Sequence, residues 1–192
     1  MPRVETSFYG LPLLTAPGRV FTPRVATERL VDAALDRIDG VPMRVADVGT
    51  GSGALAVALA VNRPQVEVWA PDTNDDAVGL ARANAEKHGV SDRVHVLRGD
   101  LLEPIPCPVD LVVANLPYLS ELDRDDRYDD EPPDAVYAPG DGLDPYRRLL
   151  DACREGRLVT PGGTVLIQFH REPLAADCWQ LEDLRAALEN TA

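Results

Sequence analysis

Apolar positions in this chain are gathered into blocks. Five short runs rich in Val, Leu and Ile, at 44–48, 66–71, 93–97, 109–114 and 163–169, lack the strict in-out alternation of a half-exposed strand and predict strands buried on both faces. Between them, 53–62 and 74–88 have helical composition and apolar spacing, and 145–158 resumes the alternation after a long irregular stretch. Ahead of the first run, 24–38 predicts an amphipathic helix. The β-α-β-α order predicts an α/β fold with a mainly parallel sheet, helices on both faces, and ligands beyond the carboxyl ends of the strands. No repeat or linker divides the chain, so 1–192 is expected to form a single domain. Two segments lie outside the pattern. An arm at 7–23, rich in Pro, Gly and apolar residues, is expected to pack on or near the site. An acidic, aperiodic segment at 120–145 reads as a substrate-side loop, because a loop of that length in a compact domain is usually either functional or disordered.

Composition narrows the partners. A net charge of −13 opposes general attraction to a phosphate backbone, so a protein, a peptide or a small molecule is the expected partner and nucleic acid is disfavoured. No run approaches the roughly 18 consecutive apolar residues of a spanning helix, and MPRVETSFYG lacks the apolar stretch of a signal peptide, so a cytoplasmic, membrane-free protein is expected. Cys107, Cys153 and Cys178 are odd in number and widely spaced, which predicts neither a disulfide framework nor a zinc site. The acidic run at 123–131 is interspersed with Arg124 and Arg127 and reads as a solvated or salt-bridged loop, with no metal expected.

Candidate chemistry sits at the strand ends. Asp47-Val48-Gly49-Thr50-Gly51-Ser52-Gly53 follows the first strand and opens a helix, where free backbone N–H groups and a tight glycine turn let a nucleotide approach. The stretch GSGALA also satisfies the dinucleotide pattern GxGxxA, with Asp72 about 20 residues on, so a nicotinamide-dependent oxidoreductase is one reading. Asp47 favours S-adenosylmethionine instead, since an acid in the turn repels a pyrophosphate and suits the cationic amino group of a methionine moiety. Asp72 is then placed for ribose hydroxyls. Asp100 is placed for the exocyclic amine of adenine, with Leu101 as an apolar face. His88 and His95 read as structural. His170, ending the fifth strand, is a candidate for substrate contact.

The fourth strand runs into Asn115-Leu116-Pro117-Tyr118. This tetrapeptide resembles the (N/D/S)-P-P-(Y/F) motif of methyltransferases that act on planar amino groups, and the chain over roughly 8–170 is similar to the HemK/PrmC family, which methylates the side-chain nitrogen of glutamine. Three further segments carry the likeness. Phe21-Thr22-Pro23-Arg24 through Thr27-Glu28 resembles the entry segment PRxxTE, DVGTGSGAL the cofactor motif, and Asp141 to Leu149 the segment DGLxxYRRL. The resemblance implies a Rossmann-like class I methyltransferase fold, S-adenosylmethionine as methyl donor and S-adenosylhomocysteine as product. Gly49, Thr50, Gly51, Ser52 and Gly53, with Asp47, Asp72, Asp100, Leu101 and Asn115, would bind the donor. It also implies that the Asn115 side-chain oxygen and the Leu116 carbonyl accept the two hydrogens of the substrate nitrogen, so that its lone pair points at the methyl group. Tyr118 stacks on the planar group beside Pro117.

The chain departs from this family in three places. Leu116 stands where the motif has proline, and Asn-Leu-Pro-Tyr is the form found in rRNA adenine dimethylases, which makes adenine N6 an alternative acceptor. Gln168 stands where the family usually has an acid. The motif region begins almost at residue 1, without the helical domain by which release-factor glutamine methyltransferases recognise their substrate, and the few residues after the fifth strand predict a sheet short at its C-terminus. A non-catalytic cofactor-binding subunit is the reading that follows if these departures have removed activity.

Overall fold

The computed structural model describes residues 3–177 except 39, 123, 156, 157, 170 and 171, with the backbone alone for 172–177. Its elements in chain order are β1 (Val4–Phe8), β2 (Leu11–Thr15), α1 (Val25–Leu35), β3 (Met43–Val48), α2 (Ala54–Asn62), β4 (Val66–Asp72), α3 (Asp75–Lys87) and β5 (Val94–Arg98). They continue with β6 (Val109–Ala114), β7 (Leu119–Ser120), β8 (Tyr137–Ala138), α4 (Asp144–Glu155), β9 (Val159–Phe169) and β10 (Glu172–Asp177). The predicted strands and helices are all present, with ends moved by a few residues.

Six strands form the central sheet in the order β10-β9-β6-β3-β4-β5. All pair in parallel except β10, which runs antiparallel to β9. The sheet was expected to be short at its C-terminus, and among the described residues one antiparallel strand, β10, follows β9 on that edge. β3 lies between β4 and β6, so the chain winds outward in opposite directions from it, and the switch point opens a crevice at the carboxyl ends of β3 and β6.

Successive strand residues face opposite sides, and each side has its own core. Val45, Val68, Leu111 and Val113 pack with α1, α2 and α3, whereas Ala46, Trp69, Val112 and Ile167 pack with Tyr146, Leu149 and Cys153 of α4. Helix α2 is apolar all round and buried from Ala54 to Ala60. Helix α3 starts on Asn74, whose side chain accepts from the N–H groups of Asp76 and Ala77. No helix among the described residues is long and apolar enough to cross a membrane.

The arm holds structure that its Pro and Gly content conceals. Residues 4–15 form the β1–β2 hairpin, closed by Tyr9 and Gly10 with φ of 50° and 73°. Tyr9 occupies a backbone region that bulky side chains rarely adopt, and two ties hold it there: its N–H donates to Glu28 at 2.7 Å and its hydroxyl to Asp32 at 2.6 Å. That hydroxyl bond is the main reason its phenol is pushed up to about 12. On the far side, Asn84 of α3 is fully buried and exchanges hydrogen bonds with the backbone of Leu14 at 2.8 and 2.9 Å. The segment at 120–145 is likewise built: β7 and β8 pair at its base, and single 3-10 turns lie at Asp126–Tyr128 and Pro133–Ala135.

Candidate active site

The cavity at the switch point has a volume of about 880 Å³ and reaches from the β3 turn across the ends of β4, β6 and β9. Gly49, Thr50, Gly51, Ser52, Asp72, Asp100, Leu101, Asn115, Leu116, Pro117 and Tyr118 all line it. Asp47 and Gly53 are not among the lining residues.

Asp47 lies beneath the turn, fully buried. Its Oδ2 accepts from the Thr50 hydroxyl at 2.6 Å and from the Ala56 N–H at 3.0 Å. It thus ties the turn to α2 from beneath, with its other oxygen, Oδ1, buried and without a hydrogen-bond partner, and it is the turn above it that lines the cavity. Burial raises its carboxyl to about 6, against the opposing effect of those two hydrogen bonds.

Several N–H groups of the turn are already engaged. Gly49 and Thr50 donate to the Pro71 carbonyl at 3.0 and 3.2 Å, and Gly51 donates to Asp72 Oδ2 at 2.8 Å. The end of β4 thus takes three donors that a pyrophosphate cradle would need. Asp72 also accepts from the Asn74 N–H through Oδ1 at 2.8 Å, and burial holds its carboxyl above the ordinary value. Each of its oxygens keeps a second lone pair for a hydroxyl donor. Asp100 forms an ion pair with Arg148 of α4. Beside it Leu101 has φ 46°, a strained conformation at a strand end that lines the cavity.

The acceptor end is organised around Asn115. Its Nδ2 donates to Thr27 Oγ1 at 3.1 Å, which leaves the carbonyl oxygen Oδ1 as the group for a ligand's N–H. Next to it, Leu116 is held by the Tyr146 hydroxyl. Its N–H donates to that oxygen at 3.1 Å, and the hydroxyl reaches the Leu116 carbonyl at 3.3 Å and the Gln168 carbonyl. Burial pushes the Tyr146 phenol far above its ordinary value, so it remains a neutral hydroxyl. Tyr118 packs on Phe169 with ring centroids 5.3 Å apart.

The roof of the cavity joins the arm to the loop. Glu131 is buried, accepts from the Thr22 N–H at 2.9 Å and pairs with Arg24 at 2.9 Å, so at this residue the acidic run is salt-bridged and not solvated. The Phe21 and Tyr128 rings stack with centroids 6.4 Å apart, and the Arg24 guanidinium lies beside the pair, 5.6 and 5.4 Å from their centroids. Arg24, Thr27 and Tyr146 lie in the segments that carry the family resemblance and Glu131 in the acidic run, but their contacts here do not follow from the sequence alone. His88 donates from Nε2 to the Pro12 carbonyl at 3.0 Å and His95 packs on Trp69, both away from the cavity, while His170 lies outside the described residues.

The family described as methyltransferase small domain matches residues 24–129, more than half of the chain. A release factor glutamine methyltransferase of Deinococcus radiodurans is 39% identical over 180 residues, covering 88% of this chain and 63% of that protein. The chain therefore spans less than two thirds of that relative's length. The crystal structure of a ribosomal protein L11 methylase from Lactobacillus delbrueckii is 25% identical with a TM-score of 0.59, over 91% of this chain and 72% of that one. An RNA methyltransferase from Salinibacter ruber, solved with S-adenosylhomocysteine, shares the fold at a TM-score of 0.50 and 22% identity, over 77% and 76% of the two chains.

Proposed function

The chain belongs to the methyltransferase small domain family, and we propose that it is the catalytic region of a HemK/PrmC-type enzyme that methylates a glutamine side chain of a protein with S-adenosylmethionine. The observation that carries the reading is the orientation of Asn115. With Nδ2 donating to Thr27, Oδ1 is proposed as the acceptor for the substrate nitrogen, and the Leu116 carbonyl beside it as a second. Two acceptors suit the two hydrogens of a primary amide or amine. An amide nitrogen is a poor nucleophile because its lone pair is delocalised into the carbonyl. Holding both N–H groups directs that lone pair and orders the encounter, which is where this chain's contribution to rate lies. Tyr118, backed by Phe169, offers the planar group a face to stack on.

The donor's place follows from the same geometry. Asp72 is proposed to accept from ribose hydroxyls, and Asp100, oriented by Arg148, from the adenine amine against Leu101. When bound, S-adenosylmethionine supplies a methyl group on a sulfonium that leaves with its electron pair. A nicotinamide dinucleotide fits less well, since the N–H groups of Gly49, Thr50 and Gly51 are engaged by Pro71 and Asp72. Adenine N6 is the second reading, favoured by Leu116 alone and opposed by the charge of −13. The partner proposed is a protein, and the release factor of the relatives' name is the first to try.

Calorimetric titration of the chain with S-adenosylmethionine, with NAD as control, tests the cofactor. Saturable one-site binding of the methyl donor alone is expected. Binding of NAD alone would replace this reading with an oxidoreductase.

A further inference from the structure

We propose that Tyr146 is a positioning residue for methyl transfer, fixing the Leu116 backbone so that its carbonyl meets the substrate nitrogen; the inference rests on the role given to the Asn115–Tyr118 loop above. Leu116 follows the end of β6, outside any strand, so no neighbouring strand takes its N–H. A side chain does so instead. The Tyr146 hydroxyl accepts from that N–H at 3.1 Å and has one proton to give, with the carbonyls of Gln168 and of Leu116 itself, the latter at 3.3 Å, as its acceptors. Leu116 and Gln168 both line the cavity, at the ends of adjacent strands β6 and β9. One fully buried phenol thus spans the two strand ends that carry the acceptor site.

The segment that brings Tyr146 there is fitted to the same loop. Gly142, with φ 85°, packs so closely that a Cβ at this position would lie 2.3 Å from the Tyr118 carbonyl oxygen. From there the chain enters α4 and returns Tyr146 beneath Leu116, with Phe169 edge-on at 6.4 Å. Phenylalanine would fill nearly the same volume with no polar group to satisfy, whereas here the buried hydroxyl is satisfied by the backbone of the loop itself. The hydroxyl acts on a carbonyl whose direction matters to the reaction, because small misplacements of a reacting pair cost about a hundredfold in rate. The groups proposed to hold the ribose and adenine of the methyl donor, Asp72 and Asp100, are not among the partners of the Tyr146 hydroxyl, so the tyrosine's main effect is expected on transfer and only a small one on donor affinity.

The test compares wild type, Tyr146→Phe and Gly142→Ala by amide hydrogen exchange, by calorimetry with S-adenosylmethionine, and by turnover on a purified release factor. Tyr146→Phe is expected to speed exchange at the Leu116 amide by about tenfold or more while the β6 amides keep their protection. It is expected to lower kcat by about tenfold to a hundredfold with the methyl-donor Kd within about twofold of wild type. Gly142→Ala should move the same readouts in the same direction. Unchanged protection at Leu116 overturns the pinning, and an unchanged kcat overturns its role in transfer. A loss of kcat matched by an equal loss of donor affinity marks general loosening and overturns it too. If wild type transfers no methyl group although it binds the donor, the proposed acceptor fails, and the exchange at Leu116 still decides whether Tyr146 holds the loop.

Discussion

Leu116 packs directly over Gly49, so that a Cβ at position 49 would lie 2.6 Å from Leu116 Cδ2. The turn proposed to hold the methyl donor and the loop proposed to hold the acceptor are thereby in contact through one side chain. Gly49 also has φ 71°, where alanine costs roughly 1–2 kcal/mol. Gly49→Ala is expected to lower stability by at least that amount and to weaken S-adenosylmethionine binding, read by thermal unfolding and calorimetry. Wild-type affinity in this variant would show that the contact carries no coupling.

Thr27 sets the orientation of Asn115 through the bond to Nδ2. Thr27→Val keeps the shape and removes the acceptor, so the Asn115 amide becomes free to turn. Turnover should fall by about tenfold with little change in donor affinity, and Thr27→Ser should recover most of it. Equal turnover in the valine and serine variants would separate Thr27 from the reaction.

Much of this architecture is legible in the sequence, because buried parallel strands and the helices between them announce themselves by local composition, and the motifs fall at strand ends. What was hidden is what depends on direction or on distant partners. Sequence places Asp47 in the turn but does not tell which way its side chain projects, and it projects into the core. Glu131 lies in an acidic run that reads as solvated or salt-bridged to Arg124 and Arg127, yet its partner Arg24 is 107 residues away. Tyr146 meets Leu116 across 30 residues of chain that include the whole irregular loop. The hairpin was concealed by Gly10 and Pro12, breakers that serve here as a turn residue and an edge position opposite Ser7.

Glu131 joins the arm to the loop through Thr22 and Arg24. Glu131→Ala leaves the Thr22 N–H without its acceptor and Arg24 without its carboxylate. Because Arg24 is partly exposed, the expected loss is modest, about 1–3 kcal/mol. Limited proteolysis should show earlier cleavage within 16–24 and 120–136. A cleavage pattern identical to wild type would mean that the clasp does not hold these segments together.

The Asp47 carboxyl is raised to about 6 by burial, so the folded state binds its proton more tightly than the unfolded chain. Its contribution to stability is therefore fully present below the unfolded value near 4 and is lost as pH rises through about 6. Asp47→Asn does not titrate. The stability of wild type relative to this variant, from urea unfolding, should rise as pH is lowered from about 6 to about 4. A constant difference across that range would show that the carboxyl titrates normally.

The central claim is transfer of a methyl group to glutamine, and mass spectrometry of a purified release factor incubated with this chain and S-adenosylmethionine tests it most directly. The account predicts one added methyl group, located by fragmentation on a glutamine side chain and abolished by Asn115→Ala, a variant that still binds the donor. Methylation of ribosomal RNA adenine by the same preparation, with the release factor unmodified, would contradict it.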